Sequence, residues 1–269
     1  TSLQIVTLRA IMAAMILFLF LRLRDPSLLR IRLKDYRYFV GTGILSVTFF
    51  FLCYFTAINE TSLSVAVILL YTGPAFVVML SVLLFGERIS VRKAISLVLT
   101  FAGVVLVTGL FPAGFSEISL YGIFTGLGAG FGYALYSIFS KFALKKYPPL
   151  TIIFYTFLFA SIFLIPFTWM VDPAWPAGSL TAGNLGIVLG MGLFPTALAY
   201  LLYTEGLNRM EAGSASITAM IEPATAAVLG IVLFGEQIRA LQVTGILLVL
   251  FSVSVLYVGT GTKNRQTGR

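Results

Sequence analysis

Long apolar runs follow one another along almost the whole of this chain, and that succession leaves few folds open. Stretches such as Leu97 to Leu110 and Ile246 to Val258 contain no charged residue. A helix needs about 20 mostly apolar residues to cross the hydrocarbon core of a bilayer. Hydrocarbon offers the backbone no hydrogen-bond partner, so only helices and closed barrels span it. Barrel strands alternate in polarity over about 10 residues, and these runs do not alternate. The expectation is an all-α integral membrane protein with nine spans: Leu3–Leu21, Tyr38–Ile58, Leu63–Phe85, Ala94–Leu110, Leu120–Ala143, Leu150–Val171, Leu185–Leu207, Ala212–Phe234 and Leu241–Val258. The gaps are mostly under about a dozen residues, as in a compact helical bundle.

Only 10% of the 269 residues are charged and 59% are hydrophobic; soluble domains carry about 25% charged residues. The net charge of +8 could suggest nucleic acid. Its distribution points elsewhere, because the basic residues sit in short gaps between spans. Arg22, Arg24, Arg30, Arg32, Lys34 and Arg37 fill the first gap, Arg88, Arg92 and Lys93 the third, and Lys141, Lys145 and Lys146 the fifth. Arg209 follows the seventh span, and Lys263, Arg265 and Arg269 follow the ninth. These gaps alternate, so all lie on one side. The other side holds Glu60, Glu117, Asp172 and Glu236, with Arg239 as its only basic residue. Cytoplasmic loops of membrane proteins are enriched in Lys and Arg, which places the C-terminus inside and Thr1 outside. The partners expected are therefore a lipid bilayer, in the cell membrane, and not nucleic acid. Histidine is absent and Cys53 is the only cysteine. That removes the commonest general base and metal ligand, and excludes an internal disulfide. No cofactor or metal is expected.

An internal repeat emerges when the chain is shifted by the distance from Pro74 to Pro223. Tyr54 then meets Tyr203, Asn59 meets Asn208, Ala66 meets Ala215 and Ile68 meets Ile217. Leu84-Phe85-Gly86-Glu87 meets Leu233-Phe234-Gly235-Glu236, and Ile89 meets Ile238. Roughly a third of positions match over about 36 residues without a gap, strong for a membrane repeat. The charge rule puts Gly86-Glu87 on the basic side and Gly235-Glu236 on the other, so the copies are inverted. The division expected is a first repeat over 1–111, a second over 112–259 and a disordered cytoplasmic tail over 260–269. The second repeat has five spans and the first four. Ten spans are therefore expected of a complete chain, the partner of Leu120–Ala143 falling upstream of Thr1. Inverted repeats allow two equivalent packings around a mid-membrane site, the geometry of alternating access.

The run Ala212-Gly-Ser-Ala-Ser-Ile-Thr-Ala-Met-Ile-Glu222-Pro223-Ala, followed by Leu233-Phe-Gly-Glu236, resembles the corresponding span and turn of EamA-type transporters, in the drug/metabolite transporter superfamily. Leu83-Leu-Phe-Gly-Glu-Arg-Ile-Ser resembles the matching turn of the first half, and Thr7-Leu-Arg9-Ala the start of an early span in which an Arg is usual. The resemblance covers essentially the whole chain, apart from the family's first span. It implies ten helices in two inverted five-helix repeats around a central cavity, and export or exchange of small metabolites such as amino acids.

Candidate site residues follow from charge and depth. Glu222 lies mid-span, where an ionised carboxylate costs about 2.5–3.5 kcal/mol or more. It can bind a substrate amine, carry a proton, or brace the kink at Pro223. Pro74 and Pro223 each free a mid-membrane carbonyl and are hinge candidates. Arg9 lies about 9 Å into its span at 1.5 Å per residue. It can snorkel to the outer interface or meet a substrate anion. Tyr54, Tyr71, Tyr133, Tyr136, Tyr200 and Tyr203 are candidate cavity aromatics, with Tyr71, Tyr136 and Tyr200 assigned to the substrate site; the plainer alternative is helix packing. Glu205 and Arg209 form a helix-stabilising i, i+4 pair. Gly86-Glu87 and Gly235-Glu236 fit helix-ending turns. Gly122, Gly126 and Gly130, like Gly186 and Gly190, suit close helix packing. The function expected is secondary transport without ATP, since no phosphate-binding loop is present. It is directed outward, acts on a small polar metabolite such as an amino acid, and has Glu222 as a candidate for proton coupling. The alternatives are a membrane-embedded lipid-modifying enzyme, for which the clustered acids or histidines are missing, and a scaffold.

Overall fold

The computed structural model describes residues 2–108, 119–173, 175, 183–235, 237 and 239–257. Besides a short 3-10 turn at Pro26–Leu29, they form nine long helical segments: α1 (Ser2–Arg24), α2 (Leu33–Glu60), α3 (Leu63–Phe85), α4 (Val91–Val107), α5 (Leu120–Ala143), α6 (Pro149–Val171), α7 (Leu185–Arg209), α8 (Ala212–Phe234) and α9 (Ala240–Tyr257). Eight are long and apolar enough to cross a membrane. The other, α4, has 17 residues and starts three residues before the expected Ala94. Ser90 sets that start: its hydroxyl accepts the Lys93 N–H at 3.1 Å, satisfying one of the donors a helix leaves unpaired at its beginning. Glu117, Glu236 and the expected tail fall outside the described residues.

The long helices are interrupted at matching places. In α3, Leu63–Leu70 gives way to a turn at Tyr71-Thr72 before Gly73–Phe85 resumes. In α8, Ala212–Ala219 gives way at Met220 before Ile221–Phe234. Pro74 and Pro223 each lie in the first turn after the break. A proline there has no N–H to return to the preceding turn. Both helices end on a glycine, Gly86 and Gly235, each at φ 66°. That left-handed conformation closes a helix and is cheap only without a Cβ. In α2 and α7 the departure is a wider turn, π-helical over Gly41–Thr48 and Leu193–Leu198. All four interruptions recur in the register of the Pro74–Pro223 repeat.

The chain forms two compact units, each interleaving both halves of the sequence. The first contains α1, α2 through Phe55, α5 from Gly132, α6, and α7 through Met210. Within it α1 and α6 run antiparallel. Gln4 pairs with Asp172, Thr7 with Thr168 at 2.6 Å, and Phe18 with Phe154 at 6.1 Å. Two glycines bring the π-helical turns against this pair. A Cβ on Gly43 would lie 2.6 Å from the Thr156 carbonyl, and one on Gly192 would lie 2.5 Å from Met12 Cβ. Gly43 and Gly192 are partners in the repeat.

The second unit contains the rest of α2, α3, α4, α5 through Phe131, α8 and α9. Here α4 and α9 run antiparallel along a seam of small residues. Gly103 and Gly245 meet backbone to backbone, each denying the other room for a Cβ. Further along, Ser96 donates to the Ser252 carbonyl at 2.8 Å and Thr100 bonds the Ser252 hydroxyl at 2.6 Å. Small residues and shared hydroxyls hold helices together where burial of apolar surface supplies no drive. The second half of α3 packs on the first half of α8 through Val78 and Ile217. Gly122, Gly126 and Gly130 line α5 against Glu60 and Thr61, Leu69, and the Tyr71-Thr72 break respectively, as their spacing suggests. Gly186 and Gly190 do not pack this way: no described residue lies within 4 Å of where their Cβ atoms would stand. Large apolar side chains such as Phe124, Phe194, Leu202 and Val232 are exposed. Outward-facing apolar residues on this scale suit lipid rather than water.

Candidate functional site

The first unit holds a polar group that does not belong in hydrocarbon. Arg9 is bonded to a neighbouring helix. Its guanidinium turns to the middle of α7, where Nε donates to Thr196 Oγ1 at 3.0 Å and Nη2 to the Pro195 carbonyl at 3.2 Å. The wide turn in α7 creates these acceptors. Pro195 cannot donate to the Met191 carbonyl, and the Thr196 hydroxyl does so instead at 2.8 Å, leaving its lone pairs for Arg9. A guanidinium carries five N–H donors. Among the described residues Arg9 has no ion-pair partner, and its Nη1 meets no acceptor. A half-buried cation with unspent donors within an apolar span calls for an acceptor that the described residues do not supply.

Val6, Arg9 and Ala10 share one face of α1 and, with Phe51, Phe157, Thr196 and Tyr200, line a small cavity. It has room for about one water molecule, so in this conformation it is too tight for a metabolite. Aromatic rings continue from it. Tyr200 meets Phe157 edge-on at 4.9 Å and Tyr136 edge-on at 5.0 Å. Tyr203 lies 6.1 Å from Tyr136 and 5.9 Å from Tyr133. The hydroxyls are anchored: Tyr136 to Thr204 at 2.6 Å and Tyr203 to Ser137 at 2.7 Å. Thr196, Tyr200 and Thr204 recur every fourth residue, which places them along one stripe of α7.

Arg9, Tyr136 and Tyr200 are thus brought together, with Tyr200 beside the cavity and Tyr136 buried behind it at 4% exposure. Tyr71 and Glu222 lie in the second unit. Tyr71 caps the first half of α3 and packs on a cluster that includes Val104, Met220 and Ala224. Glu222 is the second residue of the resumed helix in α8, where the positive end of the helix dipole favours a carboxylate. It is exposed, and it has no hydrogen-bond or salt-bridge partner among the described residues. Pro74 and Pro223 are buried at the two breaks. Of the other aromatic candidates, Tyr54 stacks on Phe50 at 5.7 Å. Glu205 and Arg209 form their expected pair at 3.6 Å.

Thr196 and Pro195 were missed by sequence reasoning, although a proline amid the apolar run of α7 was the available signal. A charged cluster in the second unit was also missed. Glu87 does more than end a turn. Its carboxylate accepts the Ala212 and Gly213 N–H groups at 2.7 and 3.3 Å, capping the start of α8. Lys93, only 3% exposed, bridges Glu87 at 3.4 Å and Glu211 at 2.8 Å. Glu87 and Lys93 are six residues apart, but Glu211 lies 118 residues beyond Lys93, and no local pattern links it to them.

Apolar helices long enough to cross a bilayer, broken mid-span and paired in antiparallel fashion, define a multi-pass membrane protein. The sequence matches the EamA-like transporter family over residues 1–109 and 120–258. This chain belongs to that family. An uncharacterized transporter of Archaeoglobus fulgidus is 33% identical over 204 residues, which cover 76% of this chain and 70% of that protein. The uncharacterized transporter YwfM of Bacillus subtilis is 31% identical over 204 residues, covering 76% and 67%. One from Clostridium kluyveri is 28% identical over 250 residues, covering 90% and 79%. A solved crystal structure superposes with a TM-score of 0.81 at 18% identity, covering 95% of this chain and 87% of that one. Identity that low speaks to the fold alone.

Proposed function

We propose that this protein is a secondary transporter of the cell membrane. It exports a small carboxylate-bearing metabolite, such as an amino acid, by alternating access between its inverted repeats, with its C-terminus in the cytoplasm. The observation that carries this reading is Arg9, held within its apolar span by the opened turn of α7 with donors left over. A guanidinium matches a carboxylate in shape and charge, and two parallel N–H···O bonds give it geometric selectivity. Tyr200, Phe51 and Phe157 supply an apolar wall of the kind small-molecule sites use. The cavity must widen to admit a metabolite, as a site that alternates between occluded and open forms does. Pro74 and Pro223 act as hinges for that change. Glu222, exposed and unpaired, binds a substrate amine or carries a coupling proton.

The test is efflux from cells preloaded with a panel of labelled amino acids and their decarboxylated amines. Expression of this protein should accelerate loss of at least one acid while leaving its amine retained. Equal efflux of acid and amine would remove the role given to Arg9, and no change for any compound would remove the export reading.

A further inference from the structure

The turn that joins α1 to α2, with the helix ends that flank it, carries Arg22, Arg24, Arg30, Arg32, Lys34 and Arg37, and all six residues are exposed. Orientation in the membrane requires only that this charge be present; it does not require a folded loop. This loop is folded, and its folding uses up both acids within it. Asp25 turns back to accept the Ser27 N–H at 2.9 Å. Asp35, 2% exposed, is enclosed by Lys146 Nζ at 2.6 Å and the Tyr147 hydroxyl at 2.8 Å. The loop backbone is pinned as well. Leu28 and Leu29 carbonyls accept the Thr151 and Tyr155 hydroxyls at 2.8 and 2.6 Å, and the Arg32 N–H donates to the Tyr147 oxygen at 3.0 Å.

None of the six loop cations has an ion-pair partner among the described residues. Several other basic residues on this side are occupied. Lys93 and Lys146 meet carboxylates, Arg209 meets Glu205, and Lys141 donates to the Leu207 and Met210 carbonyls at the end of α7. Arg24 and Arg37 rest on the rings of Phe20 and Tyr38, which leaves their charge without a carboxylate, and Leu23 and Leu33, each 78% exposed, stand among these cations. Arg22 and Arg24 end one membrane helix and Arg37 opens the next, so the charge lies at headgroup depth.

We propose that this loop is a binding surface for the anionic headgroups of membrane lipids, with Leu23 and Leu33 seated at the acyl boundary. Arginine and lysine at a bilayer surface attract acidic lipid electrostatically, and the pinned backbone lowers the ordering cost of presenting several at once. The test places the full chain in nanodiscs of mixed phosphatidylglycerol and phosphatidylcholine and measures which lipid is retained, by native mass spectrometry. Phosphatidylglycerol should be enriched, and the enrichment should fade as salt rises. Arg30→Gln with Arg32→Gln should cut the preference about thirtyfold, given an attraction of about 1 kcal/mol per charge. Arg30→Lys with Arg32→Lys should keep it, as should Arg88→Gln with Lys145→Gln on the same side. Equal retention of the two lipids, enrichment indifferent to salt, or an equal loss in the Arg88/Lys145 variant would each overturn the proposal. The salt titration on the unaltered protein decides the matter even if the Gln variant does not fold.

Discussion

Arg9 and Glu222 are both ionisable side chains at membrane depth, and their surroundings differ. Arg9 is fixed by two bonds to a turn that a proline has opened. Glu222 has only the end of a helix behind it and no fixed partner among the described residues. A carboxylate without a partner is free to exchange its proton or take a cationic group, whereas a braced guanidinium serves as a stationary contact. Glu222→Gln removes the charge and the titration while keeping the shape. The expected outcome is transport that loses its dependence on pH, at a rate reduced about tenfold or more, the scale of a single charge-assisted bond. An unchanged rate and pH profile would restrict Glu222 to bracing the kink at Pro223.

Among the helices, those that meet most closely do so through glycine and hydroxyl residues. The α4–α9 seam pairs Gly103 with Gly245 and Ser96 with Ser252, and these residues exchange places under the repeat. The contact is thus built twice from related halves. Gly103→Leu would drive a side chain to within 2.9 Å of the Gly245 carbonyl. Backbone cannot yield as a side-chain tip can, so the loss should be about 1–3 kcal/mol or more. Gly186→Leu is the matched control, since no described residue stands near its Cβ position. Thermal melting of the two variants in detergent should separate them clearly, with only Gly103→Leu lowered. Equal melting temperatures would mean that the seam is looser than drawn.

At the scale of the whole molecule, the helices and their inverted pairing could be read from apolar length, charge alternation and the Pro74–Pro223 register, because each is a property of the chain taken in order. The Gly122-Gly126-Gly130 stripe was legible for the same reason. What could not be read depends on residues remote in sequence. Glu87 and Lys93 look like ordinary loop charges until folding brings the distant Glu211 to them, and Gly186 and Gly190 carry a packing signature that no described neighbour uses. Arg9 was legible as a residue and illegible as a geometry: depth alone favoured snorkelling, and only the opened turn at Pro195 and Thr196 shows why it turns inward. The charge of that guanidinium is the centre of the functional proposal. Exchange of a labelled carboxylate substrate in proteoliposomes, compared between the unaltered protein, Arg9→Lys and Arg9→Gln, tests it most directly. The expected result is robust exchange, partial exchange and near-complete loss, in that order, with all three proteins equally folded; full exchange by Arg9→Gln would contradict it.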